Sequence, residues 1–375
     1  MNANKQQTKN PDLQAECYQS NFEFQASGRR KVEVSFDGGS LSSDAGAVLL
    51  REEALGMRLP ERLAECFEDQ RNPVFVEHEV GELTMQRVMG QALGYEDLND
   101  HQKLRKDAVM SLACGKKEGE ACGSAATLNR VELSSHRSGK YHKVHVQPEK
   151  MEGLLLKEGV ESLRRNRREL VTDFDATDAL LHGKQEGRFF HGYYGDYCYL
   201  PLYAFTGDKL LWAQLRTSDR DAPDGTVEAL EKIVPALRRR CPDARIVVRA
   251  DSGFCREEIL EWCERHGVHY VIGLARNECL VRELSPQMVD ARIRATHCGS
   301  ARVFGEFLYR TRSSWSRLRR VIGKAERLPD KDNPRFVVTS LAGDPQRLYE
   351  QVYCARGDME NRIKEQQLEM FADRL

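Results

Sequence analysis

Nothing in this sequence approaches the roughly 18 consecutive apolar residues that a membrane-spanning helix needs. The first thirty residues, Gln6, Lys9, Asn10 and Gln14 among them, lack the apolar core of a secretory signal. Both absences lead to the expectation of a cytoplasmic protein with no membrane partner. Paired cysteines are missing too: eleven are scattered singly, with no C-x-x-C. Such a set reads as free packing thiols, not as a disulfide framework. Cys263, His266 and His269 come closest to a metal spacing, but a structural zinc site wants four ligands and no second pair stands nearby. There is no G-x-S-x-G elbow, since Asp251-Ser252-Gly253-Phe254 lacks the first glycine, and no Walker-type loop. Neither Ser-His-Asp hydrolysis nor ATP is implied.

An excess of charge of one sign is also lacking. The 375 residues hold 57 basic and 58 acidic side chains, for a net charge of −1. That sum argues weakly against a nucleic-acid partner, but what binds a phosphate backbone is a local patch. Basic clusters occur at Arg164, Arg165, Arg167 and Arg168, at Arg238 to Arg240, and at Arg317, Arg319, Arg320 and Lys324. The length calls for two or three structural units around a sizeable core.

Residues 1–31 read as a disordered leader. Residues 32–168 are mainly helical in pattern, with a Ser/Asp-rich cap before the apolar run at 45–55 and Ser124 or Thr127 as a further N-cap. The texture changes at Arg168. The order is then strand (169–178), two strands joined at Thr206-Gly207-Asp208, an amphipathic helix (226–240), a buried strand (244–251), a helix (256–267) and a buried strand (268–275). Residues 280–342 look like a β-rich insertion, and 343–375 like one long helix. The expected class is α/β.

Two strands run into aspartates, the first ending in Asp173 and Asp175 and the second in Asp251. A carboxylate at the end of a buried strand is costly unless its charge is compensated. A hard divalent cation does that, and the small residues that follow (Ala176 and Thr177, Ser252 and Gly253) leave room for a phosphate. The plainer alternative is that these aspartates cap the next turn. In the last segment Tyr353, Arg356 and Glu360 share one helical face at i, i+3 and i+7. That face suits a phosphate-and-metal site, or else holds an ordinary Arg356–Glu360 surface pair worth well under about 1 kcal/mol.

The segments DGGSLSSDAGAVLLREE, GYEDLNDHQKLRKD, ATLNRVE, DFDATD, HGKQEG, GYYGDYCYLPL, RADSGF and the final Y-x-x-R-x-x-x-E occur in that order over residues 32–364. Together they resemble the group 1 DDE-domain transposases of bacterial insertion sequences. The resemblance implies a ribonuclease-H-like core interrupted by a β-rich insertion and preceded by a helical domain that binds transposon ends. It implies DNA cleavage and strand transfer with two Mg²⁺ or Mn²⁺ ions. Double-stranded DNA is the partner, as terminal inverted repeats and as target, with a homodimer on paired ends in a bacterial cytoplasm at the nucleoid. By the same resemblance Asp175, Asp251 and Glu360 are the catalytic and metal-binding carboxylates, with Asp173 the competitor for the first role. The separations are 76 residues (175 to 251) and 109 residues (251 to 360), the second holding the insertion. Tyr353 and Arg356 match the signature around the glutamate and are assigned to DNA. Lys364 is a weaker basic contact, because position 367, seven after the glutamate, is Gln. The sequence ends fifteen residues after Glu360, where family members generally continue, so a C-terminally truncated copy is expected.

Further DNA contacts are expected at Gln86, Arg87, Arg105, Lys106, Asn129 and Arg130, each also readable as a solvated helix face. Trp315 with Arg319, Arg320 and Lys324 could stack on an unpaired base near the cut end, or Trp315 could belong to the core. His182, Gln185 and His191 follow the first aspartate closely, with His182 able to contact a phosphate. Two rival functions stand beside the transposase: a related metal-dependent nuclease that cuts without rejoining, and a non-catalytic protein that binds DNA ends.

Overall fold

A computed structural model describes residues 22–27, 30–34, 42–117, 119–133, 142–181 and 187–369, the first two stretches by backbone alone. Strands β1 (Phe22–Ser27) and β2 (Arg30–Val34) form an antiparallel hairpin. Part of the span expected as a leader is thus paired. Helices α1 (Ala47–Gly56) and α2 (Leu59–Ala64), strand β3 (Phe67–Asp69), helices α3 (Val80–Ala92), α4 (His101–Leu104), α5 (Ala108–Ala113) and α6 (Ala125–Glu132), and strand β4 (Val144–Val146) follow, with β4 pairing back on β3. Met85, Met89, Leu104 and Met110 fill the core between these helices. Of the two caps the sequence suggests, Ser124 is built, accepting from the Thr127 amide, whereas α1 starts at Gly46 with no side-chain cap; Asp107, not singled out from the sequence, accepts from the Val109 and Met110 amides.

Helix α7 (Pro148–Glu161) leads into the large sheet. Its strands in chain order are β5 (Glu169–Ala176), β9 (Leu202–Thr206), β10 (Lys209–Gln214), β11 (Arg245–Ala250), β12 (His269–Leu274), β13 (Ala301–Tyr309), β14 (Arg319–Arg327) and β15 (Arg335–Thr339). Strands β6 (Ala179–Leu180), β7 (Phe189–His191) and β8 (Asp196–Tyr199) form a separate three-stranded sheet in the order β6-β8-β7. Helices α8 (Thr226–Arg240), α9 (Glu257–Arg265), α10 (Glu278–Glu283) and α11 (Ser285–Cys298) lie between the strands, and α12 (Pro345–Arg347) and α13 (Gly357–Glu369) follow them.

The eight-stranded order is β10-β9-β5-β11-β12-β15-β14-β13. Strands β5, β11 and β12 run parallel, while β9, β10 and β13 to β15 run antiparallel to their neighbours. Parallel strands are buried on both faces and read as near-continuous apolar runs. IVV in β11 and YVI in β12 do so here. The strands of the 280–342 span are not a separate unit: β15 pairs with β12 and continues the core sheet. Four of its five residues are buried, so it needs neighbours on both sides.

Alternation along β5 divides its side chains between two layers. Leu170 and Phe174 enter the main core with Leu230, Ile233 and Val234 of α8 and Ile259 and Leu260 of α9. Val171 packs on the opposite face, where Val247, Val271 and Val337 meet Leu348 and Tyr349 of the last segment. That last segment is not one α-helix. It passes through a π turn at Leu348–Tyr353 and a 3₁₀ turn at Cys354–Arg356 before α13 begins at Gly357. Glycine there weakens a continuous helix by about 1 kcal/mol relative to alanine. Among the described residues no helix is long and apolar enough to cross a membrane.

Candidate catalytic cleft

Asp175 is the penultimate residue of β5 and Asp251 follows directly on β11, its parallel neighbour, so the two carboxylates emerge from adjacent strand ends. Glu360 comes from the first turn of α13, anchored where Met359 and Ile363 pack on Tyr203 and Phe205. All three line one cleft of about 570 Å³, together with Ala176, Ser252, Gly253, Arg356, Lys364 and Gln367. The aspartates cap as well as line: Asp251 accepts from the Gly253 amide at 2.8 Å, and Asp175 from that of Ala176 at 3.0 Å. Capping and cleft roles are therefore not alternatives here.

Arg356 ties two of the carboxylates together. Its Nη1 donates to Asp175 at 3.2 Å and its Nη2 to Glu360 at 2.5 Å. Burial pushes the Asp175 carboxyl up to about 6. Arg356 pulls against that, while the charges of Asp251 and Glu360 add to it. The cleft thus carries more negative charge than its one bridging guanidinium offsets, which suits an added cation. Burial works to lower the pKa of Arg356, but Asp175 and Glu360 outweigh it, raise it and hold the side chain charged. Burial also raises the Tyr353 hydroxyl.

Asp173, the competitor for the first role, is excluded from the cleft. It is 3% exposed and accepts from Arg249 Nε at 2.5 Å and Nη2 at 2.8 Å, while Arg249 Nη1 reaches the Val352 carbonyl. Its oxygens are engaged by a guanidinium, and it is not among the residues that line the cleft. Asp173 sits opposite Arg249 in the β5–β11 register, one pair short of the strand ends.

A family model described as "Transposase DDE domain group 1" matches residues 24–375. The chain belongs to that family. No curated protein matches it. Membership points to a nuclease or transposase acting on DNA. Among the described residues no three His, Cys, Asp or Glu side chains stand close enough to hold an ion as placed. The donors are nevertheless hard oxygens around uncompensated charge, the chemistry Mg²⁺ or Mn²⁺ selects.

The remaining expected DNA contacts divide. Lys364 is exposed at the cleft, and Lys106, Asn129 and Arg130 are exposed on the helical part. Trp315 is 7% exposed and packs edge-to-face on Tyr309 in the main core, with Arg319 over its ring at 5.3 Å. Arg319 is buried and donates to Glu257 and Glu264 of α9. Arg320 is held by Glu306 and the Leu341 and Gly343 carbonyls, and Lys324 by Glu326. This set is therefore not an open base-stacking platform: its aromatic face is inside and its cations are engaged. Gln86 is likewise buried, bonding His101 and the Gly123 carbonyl, and Arg87 is drawn onto Glu132. Arg105 donates to the Cys122 carbonyl. His182 and Gln185 lie outside the described residues. His191 does line the cleft, its ring tilted against that of Tyr194 at 5.0 Å and 44°.

Three positions escaped sequence reading. Arg249 fixes Asp173 and the π turn. Arg216, buried, donates to the carbonyls of Leu200 (2.9 Å), Ala222 (3.2 Å) and Asp224, shaping the loop that brings Asp221 and Ala222 to the cleft. Gly273 in β12 is needed for close approach: a Cβ there would stand 2.6 Å from the Tyr353 hydroxyl and 2.8 Å from the Ser252 amide nitrogen. A glycine inside an otherwise apolar strand is the signal that could have found it.

Proposed function

We propose that this chain is an insertion-sequence transposase that cuts DNA at transposon ends and transfers the freed 3′ end into target DNA, with Asp175, Asp251 and Glu360 as its catalytic carboxylates. One observation carries the reading: three carboxylates from three separate elements line a single cleft, with Arg356 between two of them. The strand order β10-β9-β5-β11-β12, with only β9 running against the other four, supports a ribonuclease-H-like core.

Asp175, Asp251 and Glu360 would hold two Mg²⁺ or Mn²⁺ ions. When bound, such ions supply activation of the attacking oxygen and stabilisation of the leaving one. Arg356 is a cation already inside the cleft, and its fork-shaped donors, now on Asp175 and Glu360, would suit a non-bridging phosphate oxygen. Tyr353, half-buried, is within electrostatic reach of Arg356 and Asp251. Lys364, at the cleft mouth, extends the basic track along the DNA backbone, a contact that positions without reading sequence. The helical part at 42–133, with Lys106, Asn129 and Arg130 exposed, is the proposed end-recognition unit, and a dimer on paired ends the proposed assembly.

The test is a labelled duplex bearing the element's own end, incubated with Mg²⁺ or Mn²⁺ and the wild-type chain, Asp251→Asn or Glu360→Gln. Metal-dependent nicking at the end, lost in both variants, with joined product when target DNA is added, supports the transposase. Nicking without joined product favours a nuclease. End-specific binding without nicking, equal in all three proteins, favours a non-catalytic binder. One protein copy in the end-bound complex, by light scattering, would sink the dimer.

A further inference from the structure

The exposed aromatic side chains are not scattered evenly over the molecule. Tyr193 is 87% exposed, and Phe190 and Tyr197 are also exposed, all on the β7–β8 hairpin. Monomeric surfaces rarely gather apolar rings without a use for them. The hairpin is tied to the catalytic strand: Tyr194, its inner ring, donates its hydroxyl to the carbonyl of Ala176, the residue after Asp175, at 3.4 Å. Tyr193 stands edge-to-face on Tyr194 at 5.0 Å and 88°, so Tyr194 braces it while its own faces stay open. Both rings line the same cleft as the three carboxylates. Behind them Phe190 meets Tyr197 at 5.7 Å, and the Arg188 guanidinium lies over the Tyr197 ring at 4.8 Å.

We infer that this hairpin is a stacking platform for an unpaired nucleotide of the DNA end, with Tyr193 as the ring that takes the base. The inference rests on the proposed DNA-cutting role of the adjoining cleft and adds to it where the strand beside the scissile bond goes. Continuity with the cleft selects the occupant, because a phosphodiester at Asp175 and Asp251 puts the neighbouring base within reach of the turn that Tyr194 pins to Ala176. Charge agrees: Lys364 lines the same cleft as Tyr193 and Tyr194 and is exposed, able to meet a backbone phosphate beside the stacked base. Base–aromatic stacking tolerates any base, since every base has a π face. Buried Trp315 cannot serve this purpose.

The test uses fluorescein-labelled oligothymidylate and a duplex of the same length, in EDTA, so that binding is read without metal chemistry. Tyr193→Ala is expected to weaken oligothymidylate binding by roughly 5- to 100-fold, with Tyr193→Phe close to wild type and duplex binding little changed. The exposed position keeps folding out of the comparison. Equal oligothymidylate affinity in Tyr193→Ala and wild type, or no binding by wild type, overturns the platform. So does a Tyr193-dependent self-association with oligothymidylate binding unchanged, which would assign the rings to a second copy of the chain. Tyr193-dependent binding in a protein that never nicks overturns the catalytic reading and leaves the platform standing. Nicking by a protein whose oligothymidylate binding ignores Tyr193 does the reverse.

Discussion

Arg249 and Asp173 face each other across the parallel register of β11 and β5, and the guanidinium grips both carboxylate oxygens, at 2.5 and 2.8 Å. Both side chains are buried, and a third bond from Arg249 reaches the Val352 carbonyl in the π turn that precedes Arg356 and Glu360. One ion pair thereby links the two strands that carry Asp175 and Asp251 to the element that brings Glu360. Burial raises the Asp173 carboxyl while Arg249 pulls it down, the balance expected of a desolvated pair.

Removing either partner alone leaves an uncompensated buried charge. Arg249→Met or Asp173→Leu should each cost about 3–5 kcal/mol, and the double variant less than the sum. Urea unfolding of the four proteins measures the coupling. Single variants within about 1 kcal/mol of wild type would mean that the pair is solvated, and its role as a tie would fall.

Asp175 carries a pH signature. Its carboxyl is raised from the ordinary 3.8 to about 6, first by burial. A raised acid stabilises the fold in its protonated form; that contribution is complete below about pH 4 and is lost as pH rises through about 6. The loss corresponds to something on the order of 3 kcal/mol at most. Metal-free Asp175→Asn should therefore be more stable than wild type above pH 7, with the two converging near pH 4. Thermal melts in EDTA across that range read it. Curves that stay parallel at all pH values would show that Asp175 is not the strained acid.

Trp315 tests the reassignment of the insertion's basic cluster. As a core residue against Tyr309 and Arg319, its replacement by alanine should cost about 3–5 kcal/mol. Trp315→Phe, which keeps most of the packing, should bind duplex and oligothymidylate like the wild-type chain. A folded Trp315→Phe with a tenfold loss of DNA affinity would return the residue to the DNA path.

What the sequence made legible follows from the range of the interactions involved. Apolar strands running into aspartates are a local pattern, and it marked Asp173, Asp175 and Asp251 together, the choice of Asp175 over Asp173 coming from the family resemblance; α8 was bounded correctly at Thr226–Arg240 by its own periodicity. The fate of Trp315 and Arg319 could not be read locally. Basic neighbours in sequence suggest a DNA contact, whereas the partners that bury Arg319, Glu257 and Glu264, are 62 and 55 residues away on α9. Asp173 posed the same difficulty, since its partner Arg249 is 76 residues distant and is fixed by strand register. The expected β-rich insertion had its strands recognised but not their edge: pairing of β15 with β12 is a tertiary choice that buried both faces of each.

Gly273 joins these threads, because the cleft depends on a side chain that is absent. Its position in β12 lies under both Asp251 and Tyr353: a Cβ would meet the Tyr353 hydroxyl at 2.6 Å, the Ser252 amide nitrogen at 2.8 Å and the Asp251 carbonyl carbon at 3.1 Å. The first obstacle is the tip of a side chain, but the other two are backbone, and backbone at the end of a catalytic strand cannot yield without moving Asp251. Gly273→Ala should therefore lower end nicking by on the order of 100-fold, the loss that about 1 Å of misplacement causes. Adding Tyr353→Phe removes the hydroxyl obstacle but leaves the backbone ones, so it should not restore activity. Nicking by the two variants, set beside their urea midpoints, separates misplacement from unfolding. A Gly273→Ala protein that nicks at the wild-type rate would show that Asp251 tolerates displacement, and the cleft would lose its claim to be the catalytic centre.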